Sequence, residues 1–129
     1  MKVVLVHGVW DFLHVGHVNH LKRARAFGDY LVVSVVPDRH ATKGKPIYDE
    51  KARVRLLKEL RCVDKVVLCD GPGPQKLIRR LAPDVYVRGA DYRGKRTPEE
   101  DVLAKLGIPI KYTVSTPPRT SEIIARIRA

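Results

Sequence analysis

The sequence predicts an α/β fold: an open, parallel, five-stranded sheet with helices on both faces. Three observations carry this expectation. Apolar runs such as Val3-Val4-Leu5-Val6 alternate with amphipathic stretches from one end of the chain to the other. The strand-like runs are nearly continuous in apolar residues, as strands buried on both faces are. No internal repeat, low-complexity tract or linker breaks the alternation, so residues 1–129 read as one domain.

Taken in order, the strands are expected over Lys2 to His7, Tyr30 to Val36, Lys65 to Leu68, Val85 to Val87 and Ile110 to Thr113. The helices are expected over Val15 to Phe27, Glu50 to Leu60, Pro74 to Leu81, Pro98 to Leu106 and Thr120 to Arg128. Val18, Leu21 and Ala24 set the apolar face of the first helix, and Gly28-Asp29 ends it. Asp49 is placed to cap the second. Pro74 suits the first turn of the third. Thr97-Pro98-Glu99-Glu100 reads as a capping box with proline at the first helical position, and Gly107 closes that helix. Ile123, Ile124 and Ile127 form one apolar stripe on the last. Right-handed crossovers then restrict the topology.

Composition narrows the function. The formal charge is +11, from 25 Lys and Arg against 14 Asp and Glu, which suits anionic partners. Nucleic acid and phosphorylated small molecules are the two candidates. Aromatic residues make up only 6% and no nucleic-acid motif is present, so phosphate-bearing substrates are preferred and no nucleic-acid partner is expected. No run of eighteen apolar residues exists, so no membrane partner is expected either. The N-terminus enters a strand at once, without the apolar core of a signal peptide. Cys62 and Cys69 flank a strand and are not expected to pair, which fits a reducing, cytoplasmic setting.

The chemistry centres on His7-Gly8-Val9-Trp10-Asp11-Phe12-Leu13-His14-Val15-Gly16-His17, a strand-to-helix turn. Such a turn aims backbone N–H groups and the positive end of a helix dipole at the carboxyl edge of the sheet, a ready anion site. Gly16 would let a phosphate approach the backbone. His14 and His17 can add N–H donors, protonated or neutral, where charge builds on a phosphate. A zinc site made from them lacks an obvious third ligand, so no protein-held metal is expected.

His14-Val15-Gly16-His17, and the longer run from Gly8 to His17, resemble the HxGH signature of the nucleotidyltransferase superfamily in its cytidylyltransferase-like branch. The resemblance implies a Rossmann-like fold, transfer of a nucleoside monophosphate from an NTP to a phosphorylated small molecule, Mg²⁺ accompanying the triphosphate, and a homodimer. It implies catalytic roles for His14, His17 and Lys43, the last from the basic loop Pro37 to Tyr48, with Lys45 as second choice. Gly8, Val9, Trp10 and Gly16 of the turn would line the nucleotide, and Asp11 would face the substrate. Arg61-Cys62-Val63-Asp64-Lys65-Val66 is similar to a cytidylyltransferase segment whose arginine faces the nucleotide, which points to Arg61; Arg53 matches an arginine earlier in the same helix. Alone, Arg61 is equally a cation at a helix C-terminus.

In Arg88-Gly89-Ala90-Asp91-Tyr92, Gly89 would admit a flat base and Asp91 accept from an amine or ribose hydroxyl. Alone, the segment is equally a plain turn. Pro118-Arg119-Thr120-Ser121 resembles the family's terminal phosphate motif, with Thr120 and Ser121 matching and Arg119 standing where relatives have a hydroxyl. The plain alternative is ordinary capping. Two groups within the family compete. Arg61 to Asp64 and Asp91 to Lys95 resemble glycerol-3-phosphate cytidylyltransferase. Arg88 to Tyr92, with the acidic segment Pro98 to Asp101, resembles the adenylyltransferase domain of ADP-heptose synthase. An arginine beside the base suits a carbonyl oxygen, which cytosine has and adenine lacks, so CTP is favoured over ATP. A fold-sharing binding module without chemistry is the competitor from another class.

Overall fold

The fold is given by a computed structural model that describes residues 1–41, 44–114 and 125–128. Five strands form one parallel sheet: β1 (Val3–Gly8), β2 (Tyr30–Val35), β3 (Lys65–Leu68), β4 (Val85–Gly89) and β5 (Ile110–Thr113). Their spatial order is β3-β2-β1-β4-β5. Between them run α1 (Val15–Arg25), α2 (Glu50–Lys58), α3 (Gln75–Leu81) and α4 (Glu99–Leu106). The Rossmann-like α/β architecture expected from the alternation is therefore present. Residues 125–128 are helical, and the rest of the expected last helix lies outside the described residues.

Period-two alternation divides the core between the two faces. Val4, Val6, Val33, Val35 and Val87 pack with Leu21 and Ala24 of α1 and Leu57 of α2. Leu5, Val32 and Tyr86 pack on the other face with Leu77 and Ile78 of α3 and Val102 and Leu103 of α4. Successive strands step outward from β1 to β3, then return to β4 on its other side. The order reverses between β1 and β4, which opens a crevice at their carboxyl ends.

The helix ends follow local chemistry. Asp49 caps α2 through Ala52 N–H at 2.8 Å, and Gly107, at φ +68°, closes α4. Helix α1 stops at Arg25, short of Phe27, because Phe27 and Gly28 N–H turn to the carbonyls three residues back. Gly28 is needed there: a Cβ would stand 2.6 Å from the Lys2 carbonyl oxygen. Only half of the Thr97 capping box forms. Glu100 accepts from Thr97 N–H at 2.9 Å, while the Thr97 hydroxyl accepts from Arg88 at 2.7 Å. Ile127, expected on the apolar stripe of the last helix, is 72% exposed. Both cysteines are free thiols. Among the described residues, no helix is long and apolar enough to cross a membrane.

Candidate active site

The turn after β1 is held in an unusual backbone course. Trp10 and Phe12 both adopt positive φ, +58° and +50°. Non-glycine residues hold that conformation only when their surroundings over-determine it. For Trp10 the surroundings are clear. Its indole is buried, donates to the Ser34 carbonyl at 3.0 Å, stacks on His20 and meets His17 edge-on. Gly8 accommodates it, since a Cβ there would stand 3.1 Å from the indole ring. Phe12 stacks on Tyr48 across the turn.

His14 is the N-cap of α1 in extended conformation. Its Nδ1 accepts from Gly16 N–H at 3.0 Å, and His17 Nδ1 accepts from His14 N–H at 3.2 Å. The two rings lie 4.0 Å apart, centroid to centroid. A ring nitrogen that accepts a backbone N–H carries no proton, so each neutral imidazole holds its proton on Nε2. Burial keeps both rings neutral. It lowers His17 from 6.5 to about 4, assisted by His14 and His20 and opposed by Asp11, and it lowers His14 as well. The helix head therefore presents two neutral Nε2–H donors, preoriented by the same bonds that cap the helix.

These donors line a cleft of about 620 Å³ at the β1/β4 crevice, within the range of nucleotide-sized sites. All five histidines of the chain line it: His7, His14, His17, His20 and His40. His7 leaves β1 on the α3/α4 side, where its Nδ1 meets Ser34 Oγ at 2.9 Å and burial lowers it to about 4. His20, one turn beyond His17 on α1, bonds Thr113 Oγ1 of β5 and is also lowered by burial. On the floor, Tyr86 Oη donates to Glu99 Oε2 at 2.9 Å. Arg88 is buried beside them and donates to Thr97, Glu100 and the Tyr112 hydroxyl.

The structure brings together much of the predicted set. The turn residues Gly8, Val9, His14, Gly16 and His17 line the cleft, and Gly89 and Asp91 face them from the end of β4. Several expected roles change. The Gly16 N–H is taken by the His14 ring, so it is not a spare phosphate donor. Trp10 also lines the cleft, where it is a largely buried support beneath the histidines. Asp11, expected to face substrate, lines the cleft and also accepts from Ile47 and Tyr48 N–H at 2.7 and 3.0 Å, which ties the end of the basic loop to the turn.

Arg53, also expected to meet substrate, is 0% exposed. Its guanidinium donates to the carbonyls of Tyr48, Val9 and Val36 and to Asp38, so it clamps the loop from inside. Arg61 lies at the opposite edge of its own sheet. Helix α2 runs back against the strands, so residues 59–64 reach the amino edge, where Asp64 binds Leu31 N–H. The parallel pairing of β2 and β3 forces this placement, since the connecting helix must return to the amino edge, and the ground for preferring cytosine goes with it. Lys45 is exposed near Asp38 and off the cleft lining. Lys43, Arg119, Thr120 and Ser121 lie outside the described residues.

Sequence reasoning passed over His7, His20, Tyr86, Arg88 and Glu99. His7 had a signal: it is the polar residue ending a strand of period two, on the face opposite Val6. Glu99 had none, because a glutamate in the first turn of a helix is ordinarily a solvated partner of the dipole.

Comparison with known proteins agrees with this geometry. Residues 5–125 match the family model described as cytidylyltransferase-like. The bifunctional protein HldE of Streptomyces coelicolor is 43% identical over 109 residues, covering 81% of this chain and 24% of that protein. HldE of Geotalea uraniireducens is 37% identical over 132 residues, covering 98% of this chain and 27% of that protein. The chain thus spans about a quarter of the length of these curated relatives. A lipopolysaccharide core biosynthesis protein from Thermoplasma volcanium superposes with a TM-score of 0.74 at 33% identity, over 92% of this chain and 99% of that one. Pantothenate synthetase from Thermus thermophilus, at 19% identity, 94% of this chain, 58% of that one and a TM-score of 0.59, shares the fold. With the family match running from β1 almost to its last residues, the chain belongs to the cytidylyltransferase-like family of nucleotidyltransferases.

Proposed function

We propose that this chain transfers a nucleoside monophosphate from an NTP to a sugar phosphate, with ATP as the donor, releasing pyrophosphate. The observation that carries the reading is the histidine pair lining the cleft, whose Nδ1 atoms are occupied by backbone N–H groups, leaving two neutral Nε2–H donors. An acceptor phosphate oxygen attacks the α-phosphorus, the new P–O bond forms, and the bond to the β-phosphate oxygen breaks. The attacking phosphate is already ionised at neutral pH, so no general base is required. Catalysis is positioning plus stabilisation of charge on the α-phosphate and leaving pyrophosphate, the task of fixed donors in a partly dry site.

Sugar phosphate and ATP are favoured by the likeness to HldE, whose adenylyltransferase domain is that of ADP-heptose synthase, and by the displacement of Arg61 from the rim. Lys43, Arg119, Thr120 and Ser121 are proposed to hold the triphosphate. Mg²⁺ prefers oxygen ligands in octahedral array, keeps several waters and commonly binds through substrate phosphates with few protein carboxylates. The ion is therefore proposed to arrive on the triphosphate itself, and a homodimer is proposed as in the family.

The test is pyrophosphate release from ATP and CTP in turn, each with sugar 1-phosphates and glycerol 3-phosphate. Turnover of ATP with a sugar 1-phosphate is expected. Turnover of CTP with glycerol 3-phosphate alone would overturn the adenylyl reading, and no pyrophosphate from any pair would overturn the catalytic one.

A further inference from the structure

The cleft is not uniform in charge. On the α1 side, His14 and His17 present donors. On the α3/α4 side, its floor holds a carboxylate. Glu99 is 7% exposed, yet no cation pairs with it among the described residues. One of its oxygens accepts a hydrogen bond from the Tyr86 hydroxyl at 2.9 Å. The other, Oε1, has no partner among the described residues, and it is not sealed away, since the only enclosed unpartnered side-chain atom described is Arg88 Nε. Glu99 and His7 both line the cleft, close enough that the carboxylate opposes the fall in the His7 pKa. His7 is in the same condition: Nδ1 is held by Ser34 Oγ, and Nε2 has no described partner and is not enclosed.

A buried carboxylate without a cation of its own is costly; the nearby Arg88 is engaged by Glu100, Thr97 and the Tyr112 hydroxyl, so a phosphate beside Glu99 would be repelled. This half of the cleft therefore disfavours the anionic parts of the substrates. What it offers is an acceptor, Glu99 Oε1, in the same cleft as an imidazole nitrogen that can donate or accept according to tautomer. A hydroxyl group both donates and accepts, so it matches this pair. An ammonium only donates, so it would suit the carboxylate but meet His7 in one tautomer alone, and the Tyr86 ring that could have cushioned it is buried on the sheet. An apolar acceptor would leave the carboxylate desolvated and unpaired.

We propose that His7 and Glu99, with Tyr86 orienting the carboxylate, form a hydroxyl-reading subsite for the uncharged body of a polyol acceptor, and that Glu99 is a specificity-determining residue. This deepens the nucleotidyl-transfer reading and rests on it for the identity of the ligand as acceptor. It also sets the direction of binding: phosphates toward α1, hydroxyls toward α4.

The experiment is calorimetric titration of D-glucose 1-phosphate and D-mannose 1-phosphate, their monodeoxy analogues and ethanolamine phosphate into wild type and Glu99→Gln, alongside ATP·Mg²⁺ titration and thermal melts of both proteins. In the variant the Gln oxygen can keep the Tyr86 bond while an amide N–H₂ replaces the acceptor. Wild type is expected to bind at least one hexose 1-phosphate and to lose about tenfold or more for one deoxy position. Glu99→Gln is expected to bind the parent as weakly as wild type binds that deoxy analogue, with ATP·Mg²⁺ affinity and folding retained. Equal affinity of wild type for parent and all deoxy analogues, absence of hexose phosphate binding, or preference for ethanolamine phosphate would overturn the subsite. Hydroxyl-dependent binding without any pyrophosphate release would leave the subsite standing and overturn the catalytic reading instead.

Discussion

His7 offers a direct measure of how dry the cleft floor is. Burial lowers it from 6.5 to about 4, against the pull of Glu99 in the other direction. In the unfolded chain His7 takes up a proton near pH 6.5, while in the folded chain it stays neutral down to about pH 4. Protonation therefore favours the unfolded state across that window, and the stability His7 contributes is complete above 6.5 and lost as pH falls through 4. The gap corresponds to about 3 kcal/mol at about 1.4 kcal/mol per tenfold. His17, lowered to about 4 mainly by burial but partly exposed, adds to the same slope with a smaller yield. Carboxylates such as Asp38, held low by Arg53, act in the same direction only further toward acid. Urea unfolding between pH 7.5 and 5.5 thus isolates the histidines. The assay is the pH slope of unfolding free energy in wild type and in His7→Asn, whose amide can meet Ser34 as Nδ1 does. Wild type should lose close to one proton's slope more than the variant below pH 6.5, and the His7 ring should show no NMR titration above pH 5. Parallel slopes, with a His7 midpoint near 6.5, would refute the dry floor.

Four other outcomes are expected. His14→Ala or His17→Ala should lower turnover by on the order of 10²-fold or more at saturating substrate, with about 1 kcal/mol of stability lost from the cap in urea unfolding. Arg53→Met should destabilise by about 3 kcal/mol or more, since it orphans three carbonyls and Asp38, and limited proteolysis should show cleavage near residues 44–48 rising with it. Lys43→Ala should raise the NTP requirement in steady-state kinetics while Lys2→Ala, at the amino edge of β1, does not; equal effects would point to net charge instead. Binding to random DNA, followed by fluorescence anisotropy, should be weak and vanish with added salt, because charge without base readout is counterion release alone.

The sheet was legible in the sequence because the inner strands β1 and β2 are buried on both faces and had to be written largely in apolar residues; Val3 to Val6 and Tyr30 to Val35 could hardly be anything else. The sequence also determined the histidine pair, since spacing three residues apart at a helix start is local, and local geometry is legible without neighbours. Tertiary structure alone decided the rest. Arg61 stands beside a plausible motif in sequence, yet the crossover direction of α2 carries it to the far edge. Arg53 has the composition of a ligand contact, but the loop folds back on it and takes its hydrogen bonds, and Asp11, which lines the cleft, is tied to the same loop. Glu99 reads as a helix-start glutamate and becomes a cleft floor only because β4 brings Tyr86 beneath it. A charged side chain can face a ligand, a loop or a helix end with equal local propensity, and which of these it meets depends on segments far away in the chain.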